Sequence, residues 1–393
     1  MSRIVLLTLA LPTLWVLPFA SAQGVPLPWG QQSDMVAWEE FVQITAPAGN
    51  PSDKKVEFET WATDDDIYVK SPAQWPTVNA PKILQASVLQ RAHMTGFQPF
   101  VFEPDQCQMP GGFPNPPNPK GDGAAAGSGF PLDGCIGEEV RRNWASFQYI
   151  VSNGLDSRSG LAKAFLAGLK VDLPADSVEF KGDWAKVSDV SKWLSVSPDL
   201  VRKNYYTSYS MNGGVRTEVA LLSFHISSKQ IKNWVWADFE GAMNLGRCDV
   251  IGCRDNFGAE VAVVTAAAQP YRAYGSCAKS APLKAMLENA GTDPIWENYC
   301  LKGSQVTFTD LKKNATLLGN SVVEPLNAGV PIAKSSCITC HGYASFNKNG
   351  QPNQFAFEDP LNSPTGDLDK SKLTGYSAND FIYGIQLRNV KQK

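Results

Sequence analysis

The sequence predicts an α+β fold, an antiparallel β-sheet packed with helices, that ends in a C-terminal C-x-x-C-H segment. Three observations lead there. Between 177 and 240 the runs "SVEFKGDW", "KNYYTSYSM", "TEVALLSFHIS" and "NWVWADFE" are rich in aromatic and β-branched residues. Short turn signals such as Asn212-Gly213-Gly214 separate them, the pattern of consecutive antiparallel strands. Helical periodicity flanks this block, and Cys337, Cys340 and His341 fall within five positions near the end.

The first residues predict an exported chain. Arg3, the apolar run Ile4 to Phe19 and the small-residue stretch Ala20-Ser21-Ala22 form a secretory signal peptide over 1–22. The apolar core is short and broken by Pro12 and Pro18, so it is not read as a membrane span. No later segment is long and apolar enough to span, and the expected location is periplasmic or secreted. Without Arg3 the balance is 34 basic against 38 acidic residues, which does not support nucleic-acid binding. The rest divides into an N-terminal helix and strand region, 23–155, and a sheet and haem domain, 156–393.

Each element has its own reason. "MVAWEEFVQITAP" reads as a helix capped by Ser33 or Asp34, with Trp38, Phe41 and Val42 inward. "KKVEFETWAT" reads as a strand with Val56, Phe58 and Trp61 near one face. Residues 104–134 are rich in Pro and Gly and bracketed by Cys107 and Cys135, a loop tied at its base. "GEEVRRNWASFQYIVSNGL" is the clearest helical pattern, with Val140, Trp144, Phe147 and Val151 at helical spacing. "SGLAKAFLAGL", "APLKAMLENAG" and "SVVEPLNAGV" each predict a further helix. Six cysteines lie outside the motif; sequence order pairs them as Cys107–Cys135, Cys248–Cys253 and Cys277–Cys300.

The motif itself has three readings. Covalent haem c needs two thiols to add to vinyl groups and a histidine that reaches iron from the same side. C-x-x-C-H supplies all three on one helical turn. Structural zinc wants four ligands, and only His93 and His225 remain besides cysteines that look paired. A thioredoxin-like disulfide belongs at a helix start after a βαβ strand, and leaves the histidine unexplained. One covalent haem c is therefore expected, with thioethers at Cys337 and Cys340 and His341 as the proximal iron ligand.

No methionine or histidine follows His341. A sixth ligand would come from Met35, Met94, Met109, Met211, Met243, Met286, His93 or His225, or the iron stays open. His225 is the distal candidate, because on a strand it would face away from Leu222, Phe224 and Ile226; the plainer reading of it is a hydrogen-bonded core or sheet histidine.

The aromatic strands ending in "NWVWADFE", the disulfide-bearing insert and "CITCH" followed by "NDFIYGI" carry a resemblance. Over roughly 175–393 the chain resembles the periplasmic hydroxylamine-oxidising cytochromes whose haem is cross-linked to a lysine, and the beta-class cytochromes c-prime. The resemblance implies an antiparallel sheet over the distal haem face and a five-coordinate iron. Lys229 and Lys232 lie in the neighbourhood of the cross-link, without either being assigned to it. The whole chain is also similar to large exported single-haem bacterial proteins with "HIS-K" and "W-WA-FE" segments, which brings no substrate.

Other features are read plainly. Asp64, Asp65 and Asp66 form an acidic turn expected to be solvated rather than a calcium site. Asp238 and Glu240 share one side of a strand, expected to be exposed, and Trp234 and Trp236 are expected to pack in the core. The function expected is a c-type cytochrome passing electrons to a redox partner protein. The alternative is a haem enzyme or gas-binding protein with an open distal site, acting on a small nitrogen or oxygen species. A scaffold whose N-terminal part recognises a partner is the third reading.

Overall fold

The computed structural model describes residues 31–49, 55–77, 82, 136–212, 215–260, 263–264, 272–324 and 330–384. The expected signal peptide, His93, the 104–134 loop and the Cys107–Cys135 pairing lie outside them. The fold is α+β, an antiparallel sheet packed with helices. No described helix is long and apolar enough to cross a membrane.

Seven strands make the main sheet: β1 (Ala62–Thr63), β2 (Ile136–Arg142), β3 (Val178–Lys186), β4 (Thr207–Asn212), β5 (Val215–Ser228), β6 (Val235–Gly241) and, after the short β7 (Cys253–Arg254) and β8 (Val263–Val264) pair, β9 (Tyr299–Gln305). Their order is β1-β2-β3-β5-β6-β9. The long β5 pairs with β4 through residues 215–220 and with β6 through 223–228. β2 and β3, on either side of residue 155, pair along seven positions.

The two faces of this sheet differ chemically. One carries Phe180, Phe224, Ile226, Phe239 and Leu301 and packs on α1 (Gln31–Thr45) through Trp38, Phe41 and Ile44. The helix α6 (Ala281–Asn289) adds Leu283 and Leu287 to the same core. Burying such side chains is the main favourable term, about 1.5–3 kcal/mol for each large one. The other face carries Glu138, Arg142, Glu179, Lys181, His225, Asp238 and Glu240, and the C-terminal segment covers it. Period-2 alternation along β3, β5 and β6 separates these sets. The register aligns Val140, Lys181, His225 and Asp238 in one row across four strands.

Several expectations change. The predicted helix from Gly137 is strand up to Arg142, and only α2 (Trp144–Ser152) is helical. Asn143 sets that boundary, its side chain accepting a hydrogen bond from the Ser146 amide. The predicted strand around Phe58 is a 3₁₀ turn, Glu57–Thr60, although Val56, Phe58 and Trp61 are buried as expected. α1 begins at Gln31, ahead of both proposed caps; Asp34 instead accepts from the Asn256 amide. Leu222 leaves the face of Phe224 and Ile226 because the β3–β5 register skips it, and it packs in another cluster.

The remaining helices are α3 (Arg158–Leu166), α4 (Val187–Leu194), α5 (Pro198–Asn204) and α7 (Cys337–Gly342). The first of these and α6 match the predicted segments. The described part of "SVVEPLNAGV" is a turn at Ser321 and Val322 that runs into a π-helical stretch at Val323 and Glu324. β10 (Ser345–Asn347) and β11 (Tyr376–Ala378) form a small ribbon after α7. Among the described residues there are two disulfides, Cys248–Cys253 and Cys277–Cys300, as the sequence order predicted.

Candidate haem site

α7 is placed on the polar face of the sheet by the last residue of β9. Gln305 Oε1 accepts from the Ile338 amide at 3.0 Å, and its Nε2 donates to Ser336 Oγ at 2.9 Å. Thr339 Oγ1 donates to the Gly366 carbonyl at 2.8 Å and ties the other side of the turn. These bonds tie the helix to the end of β9 and to the backbone at Gly366.

Cys337 and Cys340 are not joined to each other, and both line one cavity with His341. Its enclosed volume is about 120 Å³, below the roughly 300–1,000 Å³ of small-molecule and cofactor sites. Burial pushes both thiols up, Cys340 to about 12 and Cys337 well above its ordinary value. A dithiol built for exchange needs a depressed thiol, so this environment does not suit the disulfide reading.

The ring of His341 is oriented by the chain that follows. Its Nδ1 lies 2.8 Å from the Phe381 carbonyl, which can only accept, so Nδ1 carries the proton and Nε2 holds the lone pair. Trp236 packs against this ring at 4.6 Å and Tyr383 at 5.3 Å. Burial lowers His341 to about 4, which keeps it neutral and ligand-competent. Tyr383 also donates to the Cys340 carbonyl at 2.8 Å.

The Phe381 carbonyl reaches His341 from a tight turn. The Ile382 amide bonds the Asn379 carbonyl at 3.0 Å, and both central residues, Asp380 and Phe381, have positive φ, 47° and 67°. Glycine favours those positions; other residues cost roughly 1–3 kcal/mol each there.

His225 projects into the same cavity, as expected from its strand position. Its partner network fixes its tautomer. Asn320 Oδ1 accepts from the amides of Val322 and Val323 at 2.9 and 2.6 Å. Its Nδ2 must then be the group that donates, to Asp238 Oδ1 at 2.7 Å and to His225 Nε2 at 3.1 Å. His225 Nε2 is accordingly an acceptor. Desolvation holds this imidazole well below its ordinary value. Glu324 lies 3.6 Å from it and is raised to about 7 by burial, and burial also raises Asp238.

His225, Glu324 and Cys337 each offer one ligand atom, all within 4.8 Å of one another. Glu324 and Asn320 gave no sequence signal. The cavity wall opposite in chemistry is the charged row of β2 and β3. Arg142 pairs with Asp64 and with Glu179 (2.5 Å), and Lys181 with Glu138 at 3.1 Å. The alternation of Glu138, Val140 and Arg142 was the available hint.

Other site expectations are corrected here. Asp64 and Asp66 are buried, not solvated, because Asp64 pairs with Arg142 and Asp66 with Lys70 at 2.5 Å. Asp238 and Glu240 are fully buried beneath the 320–324 turn, where Glu240 accepts from Ser321. Lys232 is exposed, and Lys229 is tied to Asp380; neither lines the cavity. Trp234 and Trp236 pack with Leu318 and Ile338, as expected. None of Met35, Met211, Met243 and Met286 lines the cavity.

No family model, curated protein or solved structure matches the chain. The site's chemistry therefore has to be read from its own residues.

Proposed function

We propose that this chain holds one haem c in the cavity beneath α7 and acts as an exported haem oxidoreductase on a small nitrogen or oxygen species. The observation that carries the reading is a pair of unbonded thiols, Cys337 and Cys340, sharing one cavity with a histidine whose Nδ1–H is already engaged. Thioether linkage would consume both thiols, and His341 Nε2 would ligate the iron. The bound group supplies a one-electron ferric/ferrous couple. The Phe381 carbonyl holds the His341 tautomer and ring angle, the outer contact that raises a ligand's basicity. Trp236 and Tyr383 exclude water from that side.

The enzyme reading is favoured over a bare electron carrier by what shares the cavity. No described methionine reaches it, whereas His225 and Glu324 line it and are backed by Asn320 and Asp238 in a buried hydrogen-bonded group able to give and take protons. In this reading His225 binds and orients the small substrate from its fixed ring. The resemblance to hydroxylamine-oxidising cytochromes and cytochromes c-prime agrees with a sheet facing an open iron. A second reading rests on the same residue: His225 is the only other histidine among the described residues, and as sixth ligand it would make a six-coordinate electron carrier.

Carbon monoxide binding to the reduced protein separates the two. Rapid binding to a high-spin iron is expected, with the spectrum of the unligated His225→Ala protein close to wild type. A low-spin spectrum that His225→Ala converts to high-spin would establish the carrier reading instead. Purified protein with stoichiometric zinc and no haem would sink both, and would point to the His225, Glu324 and Cys337 cluster as a metal site.

A further inference from the structure

We propose that Lys229 and Asp380 are positioning residues for the proximal histidine, setting the strength of its bond to iron from outside the cavity. This rests on the haem reading above and adds to it a device the motif does not contain. The starting point is the turn that presents the Phe381 carbonyl to His341. Two consecutive non-glycine residues, Asp380 and Phe381, hold positive φ there, a conformation that persists only where surrounding contacts determine it.

Those contacts converge on one carboxylate. Lys229 Nζ donates to both oxygens of Asp380, at 2.6 and 2.8 Å. Trp234 Nε1 donates to Oδ1 at 3.3 Å and the Leu173 amide to Oδ2 at 2.7 Å. The ion pair is nearly dry, with side chains 8% and 7% exposed. Lys229 has a further contact with the exposed Asp172 at 2.9 Å. Its own backbone is fixed at the end of β5, the amide donating to the Ser177 carbonyl at 2.9 Å.

The chain of support thus runs from the sheet, through Lys229 and Asp380, to the Phe381 carbonyl and His341 Nδ1. Neither charged residue touches the cavity. A short, well-aimed bond from Nδ1–H to a carbonyl makes the imidazole a stronger donor to iron and favours the ferric state. Releasing the turn weakens that bond. A charged clamp also explains why a lysine and an aspartate are buried here, where any two apolar residues would pack without the desolvation cost.

The test uses the exported holo-protein. Lys229→Met removes both bonds to Asp380, and Trp234→Phe removes one while keeping a ring. Haem stoichiometry by pyridine haemochrome is expected to stay at wild type. The iron–histidine stretching band of the reduced protein is expected at lower frequency. The midpoint potential is expected to move positive, about 59 mV for a tenfold change in the ferric/ferrous equilibrium. Trp234→Phe should shift both in the same direction by less, and Lys229→Arg should restore them. A folded Lys229→Met protein with lower thermal stability but an unchanged band and potential overturns the proposal. If Lys229→Met does not fold, unchanged readouts in Trp234→Phe overturn it. Wild-type protein without covalent haem is a different failure, and removes the reading beneath together with the proposal.

Discussion

Replacing Asn320 with alanine tests whether the polar group in the cavity is a built network or a chance cluster. The residue is fully buried, and its side chain makes four hydrogen bonds: two from backbone amides, one to Asp238 and one to His225. At about 1 kcal/mol net for each bond the loss is about 4 kcal/mol, and about 2 kcal/mol at the low end of measured values. The amides of Val322 and Val323 would also be left buried without an acceptor, which raises the cost. We therefore expect Asn320→Ala to lose about 3–5 kcal/mol in urea unfolding followed by tryptophan fluorescence, with an unchanged slope. Asn320→Asp keeps the acceptor for the two amides but turns the donor into a carboxylate beside Asp238, so it should be no more stable. A loss below about 1 kcal/mol for Asn320→Ala, or wild-type stability for Asn320→Asp, would refute the network and the His225 tautomer deduced from it.

Three further outcomes follow from other parts of the fold. Lys279 is buried against the carbonyls of Cys277 and Tyr299, with Asp255, Arg247 and Glu297 the charges facing it, and desolvation lowers it to about 7. The unfolded chain binds the proton up to about pH 10.5, so stability should rise with pH above 7, by at most about 1.4 kcal/mol per pH unit from this group. Lys279→Met should remove that part of the slope in melts between pH 7 and 9; an unchanged slope contradicts the assignment. Opening Cys277–Cys300 by a double alanine substitution should cost about 3 kcal/mol, because its residues are 23 apart, against about 2 kcal/mol for the five-residue separation of Cys248–Cys253. Equal losses in calorimetry would count against the loop-entropy account. Phe41→Ala should cost about 3–5 kcal/mol, since the ring lies 4.8 Å from those of Trp38 and Phe239 in the main core; a loss under about 1 kcal/mol would remove α1 from that core.

The legible parts of the sequence were those whose signal is local. β3, β5 and β6 alternate with period 2 and carry aromatics, so their existence and the inward turn of His225 followed from the pattern. The failures share a cause. Glu138 to Arg142 looked helical because Val140, Trp144, Phe147 and Val151 fall at helical spacing behind acidic residues. The partners of Glu138 and Arg142, which are Glu179 and Lys181 on β3 and Asp64 just after β1, lie far away in the chain, and such long-range pairing leaves no local trace. The same reasoning misplaced Asp238 and Glu240, whose burial depends on the 320–324 turn folding back over them. Cys337, Cys340 and His341 were readable as chemistry. Phe381 was not, because its contribution is a backbone carbonyl, which any residue possesses.

One covalent haem in the cavity beneath α7 is the proposal on which the other functional expectations rest. Intact-mass measurement of the purified protein, with a pyridine haemochrome spectrum on the same sample, is the decisive measurement. A mass increased by one haem is expected, lost when Cys337 and Cys340 are both replaced by alanine. A wild-type mass with no added group, from cells that attach haem to a control cytochrome, would contradict it.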